Sequence, residues 1–253
     1  MTARGPLEIS GAFRFLRELR KNNDRAWFEQ HRETYATTVK AGFEDFVAGL
    51  LIAATRFDPR YAYVEPRSCI FRIYRDIRFS KDKTPYKTRL SAFISPRGWR
   101  GTTPGFYVAF EPGGESMLAA GIYTPEKSVL ADLRRRLEAG DPAFERLMRR
   151  KSFAPYLPLD TDPLARMPPG FAREHPRGEL LRARRYMVRR TFRDAELTRG
   201  NAFALYRAAM RDTAPFVGWL DLSASGSASG TTLESRAPVP LDRRLEPSDP
   251  RFE

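Results

Sequence analysis

Cations, carboxylates and phenols crowd into one run of this chain, residues 72–87, which reads Arg-Ile-Tyr-Arg-Asp-Ile-Arg-Phe-Ser-Lys-Asp-Lys-Thr-Pro-Tyr-Lys. Arg72, Arg75, Arg78, Lys81, Lys83 and Lys87 stand among Asp76, Asp82, Tyr74 and Tyr86. Folding around such a cluster is costly unless an anion or a buried network satisfies it. Arginine forks grip phosphate or carboxylate through two parallel bonds, lysine adds a compact point charge, and a tyrosine hydroxyl donates one bond more. That chemistry is an anion pocket, with Arg72, Arg75, Asp76, Arg78, Lys83, Tyr86 and Lys87 as candidate ligand-binding residues. A structural salt-bridge lattice tying loop to sheet is the second reading, and a solvated basic surface the third. Interleaved Ile73, Ile77 and Phe79 pull the segment inward, against the third. The pocket reading expects Arg72, Arg75 and Arg78 to converge on one site, with Asp76 bonded to at least one of them.

The same run offers two candidate catalytic groups. Tyr86 lies close in sequence to Lys83 and Lys87, and nearby cations favour phenolate. Asp76 serves as a general base if its arginines leave it partly free. Whether the site is an enzyme stays open: no serine–histidine–acid order, P-loop or glycine-rich dinucleotide fingerprint is present. His175, before Pro176, and Asn23 are secondary candidates. Asn22-Asn23-Asp24 is most simply a helix junction, and His31 a structural histidine within a helix. Cys69 is the single cysteine, which excludes an internal disulfide and a cysteine-rich zinc site. With two distant histidines, a transition metal would need carboxylates for most of its ligands. No metal and no cofactor is expected.

The elements that position these residues follow from periodicity and punctuation. Ser10 can cap a short helix with Phe13, Leu16 and Leu19 on one face. Asn23 or Asp24 then caps a longer one that ends near Ala54. Strands are predicted at Ser68–Tyr74, Arg89–Ser95, Phe106–Glu111 and Ser116–Tyr123. Turns such as Pro112-Gly113-Gly114 separate them, and connections this short favour antiparallel pairing. Helices return at Pro125–Ala139 and Pro142–Lys151, each behind an N-cap and N1-proline pair. Residues 155–176 contain six prolines and read as extended. A short strand is expected over Leu181–Val188, and a last helix from Asp194 to about Leu220. The prediction is one α+β domain, residues 1–220, a mostly antiparallel sheet with N- and C-terminal helices packed on it. Residues 221–253 read as a disordered Ser/Gly/Pro-rich tail, dispensable for folding.

At 253 residues and 42% apolar content the chain can build a sizeable core. No apolar run approaches the roughly 20 residues needed to cross a bilayer, and no export signal opens the chain. A cytoplasmic protein with no membrane partner is the simple reading. The net charge of +13 invites a nucleic-acid partner. Yet only seven cations are lysine, so much of the charge reads as arginine filling ordinary surface positions, and three of the seven fall between residues 81 and 87. An anionic small molecule, phosphate- or carboxylate-bearing, is therefore the first partner expected. Sequence-nonspecific nucleic-acid binding through the basic body is the alternative, and a scaffold with a purely structural motif is the third. The oligomeric state stays open.

Three blocks resemble a known family. Phe15-Leu16-Arg17-Glu18-Leu19 followed by Asn22-Asn23-Asp24-Arg25-Ala26-Trp27-Phe28 is similar to the start of the bacterial family called domain of unknown function 2461. Arg72-x-x-Arg75-Asp76-x-Arg78-Phe79, with Asp82-Lys83 and Tyr86 behind it, resembles that family's signature. Pro169-Gly170-Phe171, His175-Pro176 and Glu179-Leu180-Leu181-Arg182 resemble its C-terminal block. The resemblance covers roughly residues 11–220. It implies a widely distributed bacterial protein and brings no assigned activity.

Overall fold

Apolar residues recurring every three or four positions make the N-terminal part helical. The computed structural model, which describes residues 8–98 and 102–221, divides it into α1 (Ile9–Lys21), α2 (Arg25–Gln30), α3 (Arg32–Thr34) and α4 (Ala41–Ala54). Glu8, rather than Ser10, caps α1, accepting from the Gly11 N–H at 2.6 Å. Asp24 caps α2, accepting from the Trp27 N–H at 2.9 Å. The expected single helix up to Ala54 is broken. The His31 ring stacks on Trp27 at 4.0 Å, and Tyr35–Lys40 winds as a wider π-turn. That extra width lets Tyr35 and Val39 both pack on the core.

The strand expected at Ser68–Tyr74 is also corrected. Pro66 opens a short helix, α5 (Pro66–Cys69), where its missing N–H costs nothing. The chain beyond it runs beside the sheet, joined by the Ile70–Ala92 bridge and by the Phe71 N–H donating to the Ser91 carbonyl at 2.9 Å.

Four antiparallel strands lie in chain order: β1 (Leu90–Ile94), β2 (Gly105–Phe110), β3 (Ser116–Ile122) and β4 (Tyr186–Phe192). Between β3 and β4 come α6 (Lys127–Glu138), α7 (Pro142–Met148) and α8 (Gly178–Leu181). Leu181 closes α8, so the last strand sits later than the expected 181–188. Gly121 in β3 has φ +138°, and an added Cβ there would lie on the Tyr186 carbonyl oxygen of β4. After β4, Gly200 and Asn201 divide the expected last helix into α9 (Asp194–Arg199) and α10 (Ala202–Leu220).

Alternation along the strands makes two buried faces. Leu90, Ala92, Ile94, Val108, Phe110, Leu118 and Val188 belong to the main core. There the Phe110 ring meets Phe13 of α1, Phe43 and Phe46 of α4, and Tyr206 of α10. Helices from both ends of the chain thus pack on one face of the sheet, and the fold is α+β. The other face carries a smaller cluster of Phe93, Tyr107, Ala109, Ala119 and Met187, with Phe71, Met117 and Tyr123 against it. Asp221, expected to begin the tail, is buried, caps α10 and accepts from Arg60 at 2.7 Å. The rest of the expected tail lies outside the described residues. Among the described residues no helix is long and apolar enough to cross a membrane.

Candidate functional site

The signature leaves the sheet edge after Ile73 and returns at Lys87. The Arg75 N–H donates to the Pro85 carbonyl at 2.9 Å and the Lys87 N–H to Ile73 at 2.7 Å, closing the neck of a loop. Within that loop the charges satisfy one another. Arg75, with its side chain 15% exposed, donates to the carboxylate of Asp82, to Thr84 Oγ1, to the Thr84 carbonyl at 3.3 Å and to Ser80 Oγ at 3.4 Å. Arg78 forks onto Asp76 at 2.9 and 2.6 Å in an exposed pair. Lys83 Nζ donates to the Ile77 carbonyl at 3.0 Å. Arg75 and Arg78 therefore do not share one set of partners, while the charge of Arg72 also acts on Asp76. Asp76 is bonded by Arg78, while Arg75 is taken up by Asp82, Thr84 and Ser80.

The two candidate catalytic groups are differently placed from the expectation. The Arg78 side chain, then its backbone N–H, hold the Asp76 carboxyl down at about 2, so it stays charged and bonded. The Tyr86 ring stacks on Phe28 at 4.1 Å and is 3% exposed. Burial pushes its phenol up, opposite to the lowering that adjacent lysines suggested. Asn23 explains why Tyr86 is held so firmly. Its Nδ2 donates to the Tyr86 carbonyl at 2.9 Å, and its Oδ1 accepts from the Tyr86 N–H at 3.0 Å. Asn23 is thus a clamp between the α1–α2 junction and the end of the signature.

What the loop leaves to the sheet is a second group of charges. Four residue steps separate Ile70 from Tyr74, but six separate their bridge partners Ala92 and Tyr86. Two extra residues therefore bulge within the run from Lys87 to Ser91, and such bulges re-aim side chains. Lys87 is 6% exposed, with Nζ 5.7 Å from the centre of the Phe71 ring. Arg89 is 9% exposed, and its Nε and Nη2 are buried without a hydrogen-bond partner. Its Nη1 stands 3.7 Å from Glu111 Oε2, too far for a hydrogen bond. Glu111 also accepts from Arg20 of α1 at 3.2 Å and from Thr88 Oγ1 at 3.5 Å. Burial raises the Glu111 carboxyl, with Arg89 and Arg20 pulling the other way. Burial raises the Tyr107 phenol as well, against the nearby charge of Arg89. Arg72, exposed, lies between Phe71 and Ile73, whose backbones bond to Ser91 and Lys87.

A family model described as Conserved hypothetical protein (DUF2461) matches residues 11–219. The chain belongs to that family. No curated protein and no solved structure matches it. The matched span includes most of α1, the signature, the sheet and nearly all of α10, so it covers every residue of the two charged groups.

Sequence reasoning missed Arg89, Glu111 and Arg20. One signal was available: Arg89 is a cation directly before the apolar run of a predicted strand, where burial of its side chain is to be expected. His175 is elsewhere, its Nδ1 accepting from the Arg177 N–H at 3.1 Å beside α8. His31 stays with Trp27. Burial pushes the Cys69 thiol up to about 12, which leaves it inert as a nucleophile. Among the described residues no group of three or more His, Cys, Asp or Glu side chains could hold a metal ion.

Proposed function

We propose that this protein binds an anionic small molecule, bearing phosphate or carboxylate, where the signature meets the sheet. Lys87 and Arg89 form the centre of the site and Arg72 its exposed edge. One observation carries the reading: Arg89 is a buried guanidinium with two donors unpaired. Buried guanidinium donors are normally hydrogen-bonded, and unsatisfied ones beside a weak ion pair mark a place where an anion gains most. The loop cations support the site indirectly. Arg75, Arg78 and Lys83 are already bonded within the loop and give it its internal structure. The reading is one of binding, in a cytoplasmic bacterial protein whose one cysteine is a buried thiol.

Calorimetric titration with inorganic phosphate, sulfate and citrate tests this, on the wild type and on Arg89→Met. Binding by the wild type and none by the variant is expected. A single-stranded oligonucleotide forms the other arm. Oligonucleotide affinity that falls steeply with salt and survives Arg89→Met, beside no response to the small anions, would favour the basic body as a nucleic-acid binder instead.

A further inference from the structure

Away from the signature, a groove of about 690 Å³ runs between α6 and the proline-rich connection. Leu130 of α6 and Leu164 and Met167 of the connection make an apolar floor. Lys127, Leu130 and Arg134 succeed one another at three and four residues, so one helix face lines that side. The opposite wall is pinned by its own bonds. The Leu164 N–H donates to the Arg182 carbonyl at 2.8 Å. Arg184 donates to the Asp162 carbonyl at 2.9 Å and to its carboxylate at 2.8 Å, at a turn where Asp162 has φ +44°. The groove is therefore shaped without an occupant.

Its charge is one-sided. Lys127, Arg134, Arg166 and Arg184 line it, the last already paired with Asp162, and among the described residues no carboxylate does. Arg134 gives Nη2 to the Ala183 carbonyl at 2.8 Å, while its Nε is buried without a partner. Burial pulls Arg134 below the ordinary guanidinium range. A purely apolar occupant would offer no anion to Lys127, Arg166 or the Arg134 Nε. A small hydrophilic anion would leave the floor wet.

We infer that this groove is a second binding site, for an amphipathic carboxylate whose chain lies on Leu130, Leu164 and Met167 and whose head meets Lys127, Arg134 and Arg166. Decanoate, below its micellar concentration, is the probe, with acetate and neutral decanol as controls and calorimetry on the full chain as the readout. In the Arg89→Met background, which removes the signature site, decanoate should bind and acetate should not. Decanol should bind about tenfold more weakly, the equivalent of one charge-assisted bond. Met167→Glu, which places a carboxylate on the floor, should abolish decanoate binding, and Arg134→Gln should weaken it about tenfold. Unchanged melting of either variant shows that it is folded. Decanoate binding that is present in the wild type but absent from Arg89→Met would belong to the signature site and would overturn the inference. Equal affinity for decanoate and decanol, no decanoate binding at all, or decanoate binding indifferent to both groove variants would each overturn the inference.

Discussion

Arg89→Met removes a buried charge from the sheet and leaves an unbranched side chain in its place. The ion pair it breaks is weak, since Nη1 stands 3.7 Å from Glu111. Glu111 keeps Arg20 at 3.2 Å and Thr88 at 3.5 Å. The relief is larger. Nε and Nη2 are two buried donors without partners, and each such donor costs roughly 1–3 kcal/mol. The anion-free variant should therefore be as stable as the wild type or more stable, by up to about 3 kcal/mol. In a domain of this size 1 kcal/mol moves Tm by about 2–4 °C, so it should melt unchanged or up to about 10 °C higher. An anion at a hundredfold excess over its Kd adds about 2.7 kcal/mol to the state that binds it. The wild type should then gain about 5–10 °C and the variant nothing. Thermal unfolding with phosphate or sulfate, against chloride at matched ionic strength, measures both effects. A variant that melts several degrees low, beside a wild type indifferent to either anion, would make Arg89 a structural strut and sink the site.

The loop lattice and the clamp behind it predict opposite behaviour. Arg75→Ala strips Asp82, Thr84 and Ser80 of a shared donor and should cost about 1–3 kcal/mol in urea unfolding; an unchanged midpoint would mean that the lattice carries no stability. Asn23→Ala leaves the Tyr86 N–H and carbonyl without their partners and should also cost about 1–3 kcal/mol, and a loss below about 0.5 kcal/mol would show that Tyr86 finds other bonds. Glu111 has a carboxyl raised above its ordinary 4.5, so its contribution to stability is full below that value and is lost as pH rises through the raised one. Glu111→Gln removes that loss, and urea unfolding should favour the variant increasingly from about pH 4 to 7; parallel pH profiles would count against a raised carboxyl.

Local rules made the sheet legible. Pro112-Gly113-Gly114 lies between two alternating runs, and β2 and β3 begin and end within a residue or so of those runs. Where tertiary contacts decide, the reading slipped. The break at His31 depends on its stacking with Trp27, and the π-turn depends on what Tyr35 and Val39 reach. Leu181 looked like the first strand residue, but it closes α8. Charge density marked the loop in which the signature side chains pair, but not which partner each takes. Arg78 reaches two residues back to Asp76 and Arg75 seven residues forward to Asp82, choices set by the loop backbone. Arg89 was passed over as an ordinary strand residue, because the bulge beside it arises only when Ile70 and Tyr74 find their partners. Arg20 and Glu111 are 91 positions apart, and no local pattern joins them.

The lattice reading describes the bonds within the signature loop, while the proposed anion site lies just beyond it, at Arg89. Arg75 and Arg78 neutralise Asp82 and Asp76 in the loop, while Arg89 remains unsatisfied at the sheet with Glu111 beside it. That neighbour has a consequence for binding. An anion drawn to Arg89 enters the field of a carboxylate whose facing charges are Arg20 from α1, Arg89 across the strand and Glu115 from the hairpin. Arg20 and Arg89 favour the charged form, Glu115 opposes it, and a second anion would oppose it further. Binding should therefore raise Glu111 again and take up a proton, and affinity should fall as pH rises through its titration. Calorimetry in buffers of different ionisation heat measures the uptake directly. Phosphate changes its own protonation near neutrality, so sulfate is the cleaner probe. Sulfate binding by the wild type should carry a fractional proton that Glu111→Gln loses, while the variant still binds. Uptake that persists in Glu111→Gln would assign the proton to another group, and affinity flat with pH in both proteins would mean that the anion sits beyond the reach of Glu111.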